Sequence, residues 1–219
     1  MGSQHERVQD RLRPEAVGKS VRELVVRSSE ARPGDVIATL GPAGTSSEAA
    51  GWHLAGRLGI ARDIGAVELF PSYEEARAAV KEGRASRLLV ANAYQGISEF
   101  YMDRVLGLER AFVFDTPLYG LASRQDRPLP LTCQISTHPA PVALIGQLLP
   151  PGYEVAEVDY ALSTSAAAER AANGEVDLAL TTRPAAQRHG LRFISRTRPI
   201  RMLWSVFTRL PPGDRISSK

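Results

Sequence analysis

Thr39-Leu40-Gly41-Pro42-Ala43-Gly44-Thr45-Ser46-Ser47-Glu48 decides the fold. The preceding run, Asp35-Val36-Ile37-Ala38-Thr39, is rich in β-branched residues and stops at a Gly-Pro-x-Gly turn. Hydroxyl residues come next, and Thr45 and Glu48 have the spacing of a capping box, so a helix opens here. A strand end that feeds a helix N-terminus leaves backbone N–H groups unpaired at the positive end of the helix dipole. Such a corner binds a carboxylate or a phosphate.

The same alternation continues outward. The pattern predicts strand 36–40, helix 45–58, strand 65–69, helix 73–83, strand 87–91 and helix 98–105. A bent apolar run over 111–122 reads as one long strand crossing between two bodies. Strand 132–136, helix 139–149, strand 153–157, helix 163–173, strand 177–181, helix 183–188 and strands 191–196 and 202–208 complete the series. Ser72 and Glu75 form a second capping box. Pro139 suits a first helical turn, and Gly174 a helix end. Strands alternating with helices imply mainly parallel, helix-covered sheets. The expectation is an α/β protein of two lobes with a central cleft: residues 35–112 plus 182–210 in lobe one and 113–181 in lobe two. Residues 1–34 read as a loose arm with a short helix near Val21–Val26, and 211–219 as a frayed tail.

With 219 residues, 43% of them apolar and 23% charged, the chain has the composition of a soluble globular protein. No apolar run approaches the roughly 20 residues of a membrane span. The N-terminus lacks the apolar core of a secretory signal. The lone Cys133 has no disulfide or metal partner in the sequence. Cytoplasmic residence is the expectation, with no membrane partner. A net charge of +3 with scattered arginines argues against nucleic acid and suits a small anionic substrate.

Three predicted strand ends carry small hydroxyl residues into helix starts: Gly44-Thr45-Ser46-Ser47, Ser136-Thr137-His138-Pro139 and Leu162-Ser163-Thr164-Ser165. Facing one cleft, they could bind an acid with more than one carboxylate. Taken singly, each is also ordinary N-cap chemistry. His138 reads equally as a ligand contact near neutral pKa and as a capping or surface residue. His53 reads as structural, and His5 and His189 as tail and loop. No histidine pair has zinc spacing, and no nucleophile–base pair is legible. Asn92 and Tyr94 close a strand, as ligand-orienting groups or as turn chemistry. Phe100, Tyr101, Trp204 and Phe207 read first as core.

In order and spacing, these motifs resemble the prephenate dehydratase catalytic domain from about Val36 to Arg209. That resemblance implies a fold like two-lobed periplasmic binding proteins of type II, with prephenate between the lobes. Two departures stand out. The dehydratases' Pro-Ile-Glu-Asn-Ser falls on Leu89-Val90-Ala91-Asn92-Ala93, where only the Asn remains. Their Thr-Arg-Phe, which supplies a catalytic hydroxyl and an anion-binding arginine, falls on Met202-Leu203-Trp204. No regulatory ACT domain for phenylalanine is expected. The segments Ala93-Tyr94-Gln95-Gly96-Ile97, Phe100-Tyr101-Met102, Asp115–Ala122, Ser163–Ala168 and Met202–Ser205 are similar to one branch: the prephenate decarboxylases of bacilysin (anticapsin) biosynthesis.

The resemblance implies a non-aromatising decarboxylase without cofactor or metal, and a homodimer. It implies substrate binding by Gly44, Thr45, Ser46, Ser47, Asn92, Ala93, Thr116, Tyr119, Thr137, Ser163, Thr164, Ser165 and Met202. Tyr94, Tyr101, His138 and Trp204 are the expected catalytic set; Tyr94, Tyr101, Tyr119, His138 or a water would supply a proton, and Met202, Trp204, Tyr101 and Tyr119 a dry wall. Two other readings stay open at this level: a dehydratase with a displaced acid, and a non-catalytic small-anion binder.

Overall fold

A computed structural model describes residues 23–26, 31–32, 34–61 and 65–214. In chain order the first elements are β1 (Glu23–Val25), β2 (Ile37–Leu40), α1 (Ser46–Leu58), β3 (Val67–Phe70), α2 (Tyr73–Glu82), β4 (Arg87–Ala91), α3 (Ile97–Tyr101) and β5 (Leu106–Asp115). There follow β6 (Tyr119–Ser123), β7 (Thr132–Thr137), α4 (Leu144–Leu148), β8 (Glu154–Tyr160), α5 (Thr164–Asn173), β9 (Leu178–Thr182), α6 (Arg183–Arg188), β10 (Arg192–Phe193) and β11 (Arg201–Arg209). A single 3-10 turn, Pro212–Asp214, closes the described chain, and the expected tail beyond it lies outside the described residues.

The strands form two sheets, of order β1-β5-β11-β4-β2-β3 and β10-β6-β9-β7-β8. Each has three parallel strands, β3-β2-β4 and β8-β7-β9, made by helical crossovers. Antiparallel strands flank them in both sheets, so the sheets are mixed rather than mainly parallel. The physical reason lies in the connections. The five-residue α3 does not carry the chain back across the sheet, so β5 cannot join β4 in parallel, and β11 enters between them from the other side.

Several expected elements are re-cut. Residues 111–122 are not one strand: β5 and β6 belong to different sheets, separated by Thr116-Pro117-Leu118. The helix expected over 139–149 is only α4, because Pro139 and Pro141 stand in the turns before it. The helix expected to 105 ends at Tyr101, and the Asp103 carboxylate then accepts the Val105 N–H at 2.9 Å. The strand expected over 191–196 shrinks to the two residues of β10. Glu23–Val25 is an edge strand on β5, not helix; Val21 and Arg22, like most of the expected N-terminal arm, lie outside the described residues. By sheet membership α6 and β10 side with the second sheet, so the chain rejoins the first sheet at β11 rather than at 182.

The first sheet buries Ile37, Leu54, Leu88, Leu89, Phe100, Phe112, Trp204 and Phe207 between helices and strands. The second packs smaller clusters around Leu121, Ile135 and Leu180 on one face and around alanines of α5 and α6 on the other. Side chains alternate between the two faces of β11: Met202 and Trp204 face one side, and Leu203 and Ser205 the other. No helix among the described residues is long and apolar enough to cross a membrane.

Candidate active site

A cavity of about 310 Å³ opens where elements of both sheets meet. The first corner is the α1 N-terminus. Thr45 is its N-cap: the side-chain oxygen accepts the Glu48 N–H at 3.3 Å. The returning bond of the capping box goes one residue upstream, with the Glu48 carboxylate accepting the Gly44 N–H at 2.6 Å. The next two hydroxyls meet tyrosines. Ser46 Oγ lies 2.9 Å from the Tyr119 hydroxyl, and Ser47 Oγ 3.0 Å from that of Tyr73, which also accepts the Ala91 N–H at 3.2 Å. Burial pushes both tyrosine hydroxyls above their usual pKa, so they act as neutral hydrogen-bonding groups.

The second corner is the α5 N-terminus, where Ser163 and Thr164 line the cavity and Ser163 Oγ accepts the Ala166 N–H at 2.9 Å. Three helix N-termini therefore reach the cavity: those of α1 and α2 beside the first sheet, the latter through Ser72, Tyr73 and Glu74, and that of α5 beside the second. Between them runs an apolar wall of Leu40, Ala91, Ile200, Met202 and Trp204. Trp204 is fully buried and fixed by its indole N–H, which donates to the Phe114 carbonyl at 3.3 Å.

Ala93, Tyr94, Glu74 and His138 also line the cavity. The Tyr94 hydroxyl donates to Glu74 Oε1 at 2.6 Å. That carboxylate, with burial second, pushes the Tyr94 pKa up to about 12. His138 Nδ1 accepts the Ala140 N–H at 3.1 Å, which places the proton of the neutral ring on Nε2, and burial lowers its pKa. Among the described lining residues there is no lysine or arginine, and Glu74 is the one carboxylate. No group of three or more His, Cys, Asp and Glu among the described residues could hold a metal ion.

Of the residues that the sequence points to, Thr45, Ser46, Ser47, Ala93, Tyr94, Tyr119, His138, Ser163, Thr164, Met202 and Trp204 come together here. Six do not line the cavity. The Gly44 carbonyl accepts from Thr182 Oγ1 at 2.6 Å, and Ser165 Oγ donates to the Ala43 carbonyl at 3.0 Å, so both residues join the two sheets. Thr116 Oγ1 accepts the Ile200 N–H at 2.9 Å and ties the crossing segments together. Thr137 is fully buried and donates to the Leu180 carbonyl, and Pro139 after it starts no helix, so the third expected anion corner is absent. Asn92 and Tyr101 gather around Ser205 behind β11: Ser205 Oγ is 2.9 Å from Asn92 Oδ1 and 2.6 Å from the Tyr101 hydroxyl. Tyr73 and Glu74 are among the lining residues that sequence reasoning misses, and with Ser72 they are the polar ones. In the sequence Tyr73 and Glu74 are only the first residues after a helix cap, and nothing there marks them from solvent-facing neighbours.

No protein-family model matches the chain. Its fold is shared with part of the prephenate dehydratases. A prephenate dehydratase structure from Arthrobacter aurescens superposes with a TM-score of 0.62 at 18% identity, covering 80% of this chain and 61% of that one. One from Staphylococcus aureus gives 0.52 at 14%, covering 79% and 66%. The chain thus spans about two thirds or less of those proteins. Sequence relatives are nearer. A prephenate decarboxylase from Planktothrix agardhii is 37% identical over 78% of this chain and 87% of its own length, and one from Bacillus subtilis strain 168 is 35% identical over 77% and 84%. The chain belongs to the prephenate decarboxylase family.

Proposed function

We propose that the protein decarboxylates prephenate without aromatising it, releasing CO2 while the ring keeps its hydroxyl. The observation that carries this reading is the wall of β11. Met202 and Trp204 present apolar surface to the cavity, and Leu203 points away from it. Met202 and Leu203 occupy the positions where the resemblance puts a dehydratase's hydroxyl acid and arginine. General acid help is worth about 10²–10⁴-fold, and without it hydroxide is a poor leaving group.

The chemistry then has one outlet. The bond from C1 to the ring carboxylate breaks, and its electron pair becomes a C1–C2 double bond. The former C2–C3 pair takes up a proton, so one proton is consumed and a dihydro-4-hydroxyphenylpyruvate results. The α1 and α5 N-termini suit the two carboxylates, since each offers unpaired N–H groups and about half a positive charge. The apolar wall removes water from the carboxylate that departs. The Tyr94 proton is committed to Glu74, and His138, whose Nδ1 accepts the Ala140 N–H and whose pKa burial lowers, is a neutral ring and a poor acid; a water oriented by the His138 Nε2–H is therefore the favoured source of the proton. The same reading carries a role in antibiotic biosynthesis of the bacilysin type, in the cytoplasm and as a homodimer, the last to be tested by light scattering.

The test is to incubate the protein with prephenate and analyse the product by ultraviolet and NMR spectroscopy. A non-aromatic ring that still carries its carbinol proton is expected. Phenylpyruvate would show a dehydratase, and tight binding without turnover a binding protein.

A further inference from the structure

The cavity's single carboxylate has a defined neighbour. Glu74 projects from the first turn of α2, where the helix dipole favours negative charge. Tyr94 is packed against Tyr73, ring centroids 4.9 Å apart, and against Phe100 at 6.0 Å, and it delivers its hydroxyl proton to Glu74 Oε1 at 2.6 Å. A carboxylate is an acceptor only, with about four lone-pair directions, and Tyr94 fills one of them.

Prephenate offers acceptors almost everywhere: two carboxylates and a ketone. Its ring alcohol is its only donor. Either substrate carboxylate placed near Glu74 would meet a like charge, worth about 4 kcal/mol at 4 Å and an effective dielectric of 20. The α1 and α5 N-termini suit those carboxylates, and the ring alcohol is the one substrate group from which Glu74 can accept a hydrogen bond.

We propose that Glu74, held by Tyr94, accepts the hydrogen bond of the substrate's ring alcohol and so fixes both the orientation of the ring and the survival of its hydroxyl. This rests on the function proposed above and deepens it. An alcohol that donates into a carboxylate is not being protonated. To leave as water its oxygen needs a second proton, and an acceptor in that position supplies none. Retention of the hydroxyl then has two causes: the missing acid on β11 and an acceptor on α2.

The test compares wild type with Glu74→Gln and Tyr94→Phe on prephenate and on its C4 epimer. Gln keeps the size and loses the charge, exchanging a charged hydrogen bond for a neutral one. The expected result is a fall in kcat/KM for prephenate of about 5–30-fold, with weaker discrimination between epimers and a rise in phenylpyruvate among the products. Tyr94→Phe keeps the ring packing and loses only the donor, and is expected to lower kcat/KM about 3–10-fold. Thermal unfolding of each variant monitors the fold, and the product ratio is a readout that loss of stability alone would not change. A wild type that yields the dihydro product, together with a Glu74→Gln variant within twofold of it and with the same products and epimer preference, overturns the assignment of Glu74 alone. A wild type that makes phenylpyruvate or leaves prephenate untouched overturns the assignment and the reading beneath it.

Discussion

Gly44, in the turn before α1, packs against α6 beside the second sheet, and replacing it with alanine has a predictable cost. Its φ of +89° is one that L side chains adopt poorly. A Cβ built there would lie 3.1 Å from Ala185 Cα, 3.2 Å from Ala185 N and 3.3 Å from Ala185 Cβ. These are largely backbone atoms of α6, which cannot swing aside as the end of a long side chain can. The backbone conformation alone costs about 1–2 kcal/mol. Relief by separation would stretch the bonds from Thr182 to Gly44 and from Ser165 to Ala43, each worth about 0.5–1.5 kcal/mol. A loss of about 2–4 kcal/mol results, and at a slope near 2 kcal/mol/M the urea midpoint falls by about 1–2 M. Because Thr45 and Ser46 come next in the chain, the same shift displaces the α1 corner from the α5 corner, so KM for prephenate rises. Gly56 is the control: it is exposed in α1 with nothing within 4 Å of an added Cβ, and alanine there stabilises by about 0.5–1 kcal/mol. A Gly44→Ala protein that unfolds within about 0.5 M urea of wild type, with unchanged KM, would refute the reasoning.

Two further predictions concern the cavity wall. Met202→Thr puts a hydroxyl back on the strand that lines the cavity and suits the β-branched preference of that strand; phenylpyruvate should appear beside the main product, and its absence by chromatography would count against the wall's proposed role. Tyr119→Phe leaves the Ser46 hydroxyl without its partner in a cavity corner and should raise KM about 5–10-fold, whereas Tyr101→Phe, which loses bonds to Ser205 and Asn92 behind β11, should leave kcat and KM within twofold; equal effects on steady-state kinetics would contradict the geometry.

The parts of the fold that were legible are those with local causes. The Thr45 and Ser72 caps and the helix end at Gly174 stand where their residue types put them, because capping is settled within a few residues. Strand direction was not legible beyond the helical crossovers. Whether β11 enters between β4 and β5 depends on residues that are distant in sequence. Glu23–Val25 pairs only because β5 leaves an edge open. At 139–149 the apolar spacing imitates a helix while Pro139 and Pro141 defeat its start.

The site was legible in part, for a related reason. A hydroxyl beside a helix start can face a cavity or a neighbouring carbonyl. Ser46 and Ser163 line the cavity, whereas Thr137 and Ser165 bond carbonyls of β9 and of the turn before α1. Residue type does not separate the two cases; a rotation of one position along a strand or helix does. Glu74 was invisible for the converse reason: a first-turn glutamate is ordinary helix chemistry until Tyr94, 20 residues on, is folded against it.

The fate of the ring oxygen is the most direct measurement. Prephenate labelled with 18O at the ring hydroxyl, incubated with the protein, should give one CO2 per turnover and a product that retains the whole label by mass spectrometry. Label appearing in water, with an unlabelled aromatic product, would contradict the proposal that the cavity lets carbon dioxide go and keeps the alcohol.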